Sequence, residues 1–174
     1  MSRAAWRAAA ILFSVLASPA LAQSWPAKPV RLLTGFGVGG SSDQIARLLA
    51  DRLSGALGQQ VIVDSRPGGN GVVGTTLASK APADGYTFLV VFDAHATNPS
   101  LQKSLPYDTL KDFTPIAPVA EQPNVLVVGL GSPIKTVAEL IAAAKAKPGQ
   151  LNFGSAGTGT GTHLNLEKFK LAAS

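Results

Sequence analysis

An α/β domain on a largely parallel sheet is the architecture expected of this chain, and three observations lead there. Short apolar runs alternate with stretches of helical periodicity, the pattern of βαβ units. Glycine-rich turns close the runs and open the stretches that follow. The chain has no cysteine, and 46% of its 174 residues are hydrophobic against 14% charged, so an apolar core rather than disulfides must hold it together.

Residues 1–22 read as a secretory leader. Arg3 and Arg7 form a positive start, Ala8–Ala17 is apolar apart from Ser14, and Pro19 precedes the small-x-small signal Ala20-Leu21-Ala22. A spanning helix needs about 20 mostly apolar residues, roughly twice this run, so cleavage after Ala22 and export to the periplasm are expected. Loss of the leader leaves 13 basic against 10 acidic residues and lowers the formal charge from +5 to +3. That mild surplus, with no basic run, gives no basis for nucleic-acid or membrane-surface binding.

The elements then follow in order. Val30–Thr34 reads as a buried strand that runs into the glycine-rich stretch Gly35–Gly40. A helix over Asp43–Leu57 places Ile45, Leu48, Leu49, Leu53, Ala56 and Leu57 on one stripe; Ser41, Ser42 and Asp43 are its cap candidates and Gly58 its stop. Gln60–Asp64 is a strand, Arg66–Gly71 a turn, the segment to Lys80 a small-residue helix and Thr87–Phe92 a strand. Between Phe92 and Val125 five prolines, Pro99, Pro106, Pro115, Pro118 and Pro123, predict irregular chain. A second unit then begins: strand Val125–Gly129, helix Val137–Lys145, strand Leu151–Gly154 and a helix from about Thr162. Two strands cannot bury both faces of a sheet, so the second unit is expected to be incomplete; a naturally compact 152-residue protein is the alternative.

Gly35-Phe36-Gly37-Val38-Gly39-Gly40 matches the dinucleotide fingerprint, follows a strand and opens a helix, and Asp64 ends the next strand. Export argues against a nicotinamide cofactor, the Asp43 carboxylate would meet an incoming pyrophosphate, and Ser65-Arg66-Pro67-Gly68 turns where a ribose pocket should open. What survives is an anion site, since a glycine-rich loop at a helix N-terminus exposes amides and positive dipole. Gly154–His163 forms a second such loop, with four glycines and the hydroxyls of Ser155, Thr158, Thr160 and Thr162. The competing reading is a polar loop that merely caps a helix. Two cradles at strand C-terminal ends suggest a small anion, a carboxylate more readily than a phosphate, gripped between them.

Parts for catalysis are lacking. His95 and His163 are the only histidines, and no H-E-x-x-H, G-x-S-x-G or P-loop lysine motif occurs. His163 reads as a capping or packing residue. Neither metal nor cofactor is expected, and a dinucleotide enzyme remains the weaker rival.

The residues also resemble a known family, the substrate-binding receptors of tripartite tricarboxylate transporters, called Bug receptors. The resemblance is carried in order by Trp25-Pro26-Ala27-Lys28-Pro29-Val30-Arg31, Gly39-Gly40-Ser41-Ser42-Asp43, Arg66-Pro67-Gly68-Gly69-Asn70-Gly71 and Asp84-Gly85-Tyr86-Thr87. It continues through Asn98-Pro99-Ser100-Leu101, Leu105-Pro106-Tyr107-Asp108, Leu110-Lys111-Asp112-Phe113, Gln122–Val128 and Gly154–His163. It implies a two-lobed periplasmic-binding-protein (Venus flytrap) fold. Residues 23–122 would form lobe 1, mostly present, and 123–174 the start of lobe 2, with a hinge near Ala120–Asn124. It implies ligand contacts from Gly39, Gly40, Ser41, Ser42, Asn70, Asp93 and Ala94 on one side. From the other would come Ser155, Ala156, Gly157, Thr158, Gly159, Thr160 and His163. The implied partners are a small carboxylate and the membrane components of a transporter, or alternatively a sensor kinase, with the receptor a monomer and not an enzyme; a fragment unable to complete either lobe would do neither. Asp93 departs from the family, which has small or hydroxyl residues there. It would either meet a ligand ammonium or face outward near the start of a helix or turn.

Overall fold

The computed structural model describes residues 24–173; the expected leader and its cleavage site lie outside them. Three parallel strands form the sheet: β1 (Val30–Thr34), β2 (Val61–Ser65) and β3 (Thr87–Val90), in the order β2–β1–β3. The register pairs Val30 with Val61 and Thr34 with Ser65 on one side of β1, and Arg31 with Thr87 and Thr34 with Val90 on the other.

That order fixes the layers. The chain leaves β1 for one flank through α1 (Ser41–Leu57), then crosses to the opposite flank through α2 (Val72–Ser79). Right-handed crossovers in opposite directions put the two helices on opposite faces. β1 is thus covered on both sides, and Val30, Leu32, Leu33 and Thr34 are all buried. The face toward α1 packs Val30, Leu32, Val61 and Val90 against Ala46 and Ala50, with Leu49, Leu53 and Leu57 at the margin. α1 ends at Gly58 in the left-handed conformation, φ 63°.

On the other face the backbones nearly touch. A Cβ on Gly74 of α2 would come within 2.7 Å of the Gly35 Cα, and one on Gly35 within 2.6 Å of the Gly71 Cα. Only glycine lets the loop after β1 settle on α2 this closely.

Several expectations need correcting. The segment after Phe92 forms a helix, α3 (Asp93–Leu101), despite Pro99 in its last turn. Consequently β3 stops at Val90 rather than running to Phe92, which becomes the residue before the helix. Val125–Gly129 and Leu151–Gly154 form no strands. Val125, Leu126, Val127 and Val128 are exposed whichever way they point, so the alternation has no face to bury against and no ladder partner among the described residues. The two helices of that region do form, α4 (Val137–Ala146) and α5 (Gly161–Ala173). α4 starts on a reciprocal cap in which Thr136 and Glu139 satisfy each other's backbone amides.

Candidate functional site

The crevice lies beyond the C-terminal ends of the strands, the edge where open α/β sheets hold ligands: its larger part is walled by the loops after β1 and β2, its smaller part by those after β1 and β3. Gly35 and Phe36 after β1, the turn Pro67–Gly71 and the loop 156–160 enclose a cavity of about 280 Å³. Its wall is Gly35, Phe36, Gly37, Pro67, Gly68, Asn70, Gly71, Ala156, Gly157, Thr158 and Thr160, with no ionisable side chain among them. A smaller pocket of about 10 Å³, room for roughly one water, adjoins it and is floored by Phe92, Ala94, His95 and Asn98.

Asn70 organises the near wall. It adopts a left-handed conformation, φ 55°, in a turn of alternating glycines. Its Nδ2 donates to Asn98 Oδ1 at 3.1 Å, and Asn98 Nδ2 donates back to the Asn70 carbonyl at 3.0 Å. Asn98 is 1% exposed, so this pair ties the turn to α3 inside the protein. Asn70 Oδ1 is buried and has no hydrogen-bond partner.

The far wall docks on the same residues. Gly159 lies against Asn70 and Leu101 so closely that a Cβ would approach Leu101 Cδ1 to 2.9 Å. The Thr97 hydroxyl donates to the Gly159 carbonyl at 3.4 Å. Within the loop, Thr160 Oγ1 donates to the Gly157 carbonyl at 2.6 Å and lies 3.0 Å from Thr162 Oγ1, which accepts the Ala156 amide. Ser155 Oγ accepts the Gly157 amide. The loop is therefore stiffened by its own hydroxyls, while the amides of Thr158 and Gly159 remain uncommitted among the described residues.

The first glycine-rich loop is built differently from the expectation. None of the candidates Gly39, Gly40, Ser41 and Ser42 lines the cavity; the earlier residues Gly35, Phe36 and Gly37 do. The helix cap is Gly40, with no side-chain cap bond, and Ser42 is buried. Asp43 turns back so that its Oδ2 accepts the Gly39 amide at 3.0 Å and Arg47 Nε at 2.8 Å, while Oδ1 accepts the Ser65 hydroxyl at 3.0 Å. The Arg47 hydrogen bond and then the Gly39 amide hold this carboxyl at about 2, well below the ordinary carboxylate range. One amide of the anticipated cradle thus already binds an anion, and that anion belongs to the chain.

Of the remaining candidates, Asn70, Ala94, Ala156, Gly157, Thr158 and Thr160 face the two pockets. Gly159 supports the loop from behind. Ser155 is exposed beside it, and the His163 ring lies tilted against Phe153, centroids 6.3 Å apart, with its Nδ1 buried and unpartnered. Asp93 begins α3, is exposed and lines neither pocket; a Cβ on Gly161 would overlap its carboxylate. His95, parallel to Tyr107 and edge-on to Phe113, sits behind Ala94, and burial pushes its imidazole below the usual value. Sequence reasoning missed Asn98 and Thr97 as site-builders and gave Gly35 only as the first residue of the glycine-rich loop. The signal for Gly35 was its place directly after the buried strand β1.

Residues 45–174 match the family described as "Tripartite tricarboxylate transporter family receptor". A UPF0065 protein of Bordetella bronchiseptica is 44% identical over 138 residues, 79% of this chain and 41% of that relative. A solved structure described as a periplasmic transporter shares 38% identity with a TM-score of 0.81, covering 86% of this chain and 51% of that one. A Rhodopseudomonas palustris protein solved with adipate shares 40% identity, TM-score 0.80, over 84% of this chain and 49% of its own. The chain spans about half the length of the curated relatives it matches. Periplasmic binding proteins of known structure thus share the fold described above.

Proposed function

The chain belongs to the tripartite tricarboxylate transporter receptor family, and on that footing we propose that it is an extracytoplasmic receptor for a small carboxylate. The observation that carries this reading is the cavity of about 280 Å³ between the Gly35–Gly37 and Ala156–Thr160 loops. Its size suits a short organic acid, and its donors are backbone amides and the Thr158 hydroxyl. Backbone recognition of this kind needs no catalyst, cofactor or metal, and the wall offers no nucleophile-and-base pair. The crossing of loop 156–160 onto Asn70 and α3 supports a boundary between 23–122 and 123–174 as the two halves of a hinged receptor. Export behind a leader ending at Ala22, a monomeric state and delivery to the membrane components of a tripartite transporter complete the proposal.

A thermal melt with and without ligand tests it. Binding to the folded state raises the midpoint by mass action, by about 2.7 kcal/mol of stability at a hundredfold excess over Kd. A shift with adipate, succinate or citrate and none with NAD is the expected result. A shift with NAD alone, or with none of the acids, overturns it.

A further inference from the structure

Asn70-Gly71 is the only asparagine–glycine step in the sequence; Asn98, Asn124, Asn152 and Asn165 are followed by proline, valine, phenylalanine and leucine. Such a step is chemically labile, because glycine has no side chain to shield its amide nitrogen from the asparagine side chain before it. The Gly71 nitrogen adds to Asn70 Cγ, the Cγ–Nδ2 bond breaks, and Nδ2 leaves as ammonia with the Gly71 amide proton. A five-membered succinimide remains. Water then opens either of its two carbonyls and gives aspartate or isoaspartate at position 70.

The fold blocks each part of that reaction. The nitrogen that must attack has its N–H donated to the Gly68 carbonyl at 3.1 Å. The departing Nδ2 donates to Asn98 Oδ1 at 3.1 Å, and Asn98 Nδ2 donates to the Asn70 carbonyl at 3.0 Å. Asn98 therefore grips the side chain and the main chain of Asn70 at once, fixing the torsions between them that ring closure must change. It is 1% exposed and set in α3, so the grip is built into the fold. Its release would be local: Pro67, Gly68 and Gly69 are exposed, and Asn70 and Gly71 line the cavity of about 280 Å³, which has room for the hydrolytic water. The product could not return to the same place. A carboxylate has no hydrogen to give Asn98 Oδ1, and it adds a charge to a wall without ionisable side chains, where Asn70 Oδ1 already lacks a donor.

We propose that Asn70 is a deamidation site guarded by Asn98: the folded protein keeps the Asn70–Gly71 step unreactive, and opening of the turn from α3 commits it to aspartate or isoaspartate, which no longer holds the turn. The modification requires no ligand and stands or falls apart from the receptor reading.

Peptide mapping of the full chain after incubation at mildly alkaline pH reads the conversion, through the mass change from amide to acid and the separate elution of the isoaspartyl peptide. Folded wild type should convert Asn70 at least about tenfold more slowly than the same chain in urea, where Asn70 should outrun Asn124, Asn152 and Asn165. Asn98→Ala, which removes both bonds, should speed conversion in the folded state about tenfold. Asn98→Ser repeats the comparison should that variant not fold, and the urea comparison needs no variant. Asn70→Asp, which stands for the product, should melt below the wild type. Equal rates in folded and unfolded wild type, a folded Asn98 variant no faster than wild type, or an Asn70→Asp midpoint at or above that of the wild type overturns the proposal.

Discussion

Asp43 is 2% exposed and yet ionised, because an arginine, a backbone amide and a serine hydroxyl converge on it. Its carboxyl titrates at about 2 in the folded chain against an ordinary 3.8, so the unfolded chain binds the proton first as pH falls. The contribution to stability is complete above the ordinary value and disappears as pH drops from there through about 2. Melting midpoints of the wild type should therefore fall over that window. Those of Asp43→Asn should start lower at neutral pH and change less across it; parallel curves would remove Asp43 from the account. The sequence marked Asp43 as a carboxylate awkwardly placed for a phosphate. It did not show that the same carboxylate fills the loop, because the Ser65 partner comes within reach only when β2 lies beside β1.

Among elements, the close contact between α2 and the loop after β1 makes the sharpest prediction. Gly74→Ala gains up to about 1 kcal/mol of helix propensity. The added Cβ, however, would sit 2.7 Å from the Gly35 Cα and 3.1 Å from the Thr34 carbonyl, backbone atoms that cannot swing aside. Overpacking of this kind costs about 1–3 kcal/mol, so urea denaturation should show a net loss of about 1–2 kcal/mol; a stabilised variant would contradict the packing described. The βαβ alternation through Val90 was legible because β1, α1, β2 and β3 each contribute apolar residues to one core cluster. α3 was not legible: its faces are weakly differentiated and Pro99 argues against helix, and the Asn98–Asn70 pair that anchors it spans 28 residues. The runs at 125–129 and 151–154 mislead in the opposite sense. Their composition is that of strands, but a strand exists only through its ladder. Of the site, the sequence singled out both glycine-rich loops; residues 35–37 rather than 39–42 of the first line the cavity, since Asp43 folds back onto the Gly39 amide.

The molecule as a whole has a gradient of order along the chain. Residues 30–101 contain the sheet and every residue of the apolar core cluster, whereas 114–129 have no regular structure and are exposed throughout. Hydrogen exchange should accordingly be slowest at the β1 amides of Leu32 and Leu33 and fastest between 114 and 129; equal protection across the two would deny the gradient. The strand order has a further practical consequence. β2 and β3 each keep one flank without a neighbouring strand among the described residues. β2 carries Asp64, clamped by Arg31 and Arg66, but Thr87–Val90 holds no charge to repel a newcomer. The flank of β3 is the place where one copy would begin to stitch itself to the next, turning a clear solution into a slowly thickening one.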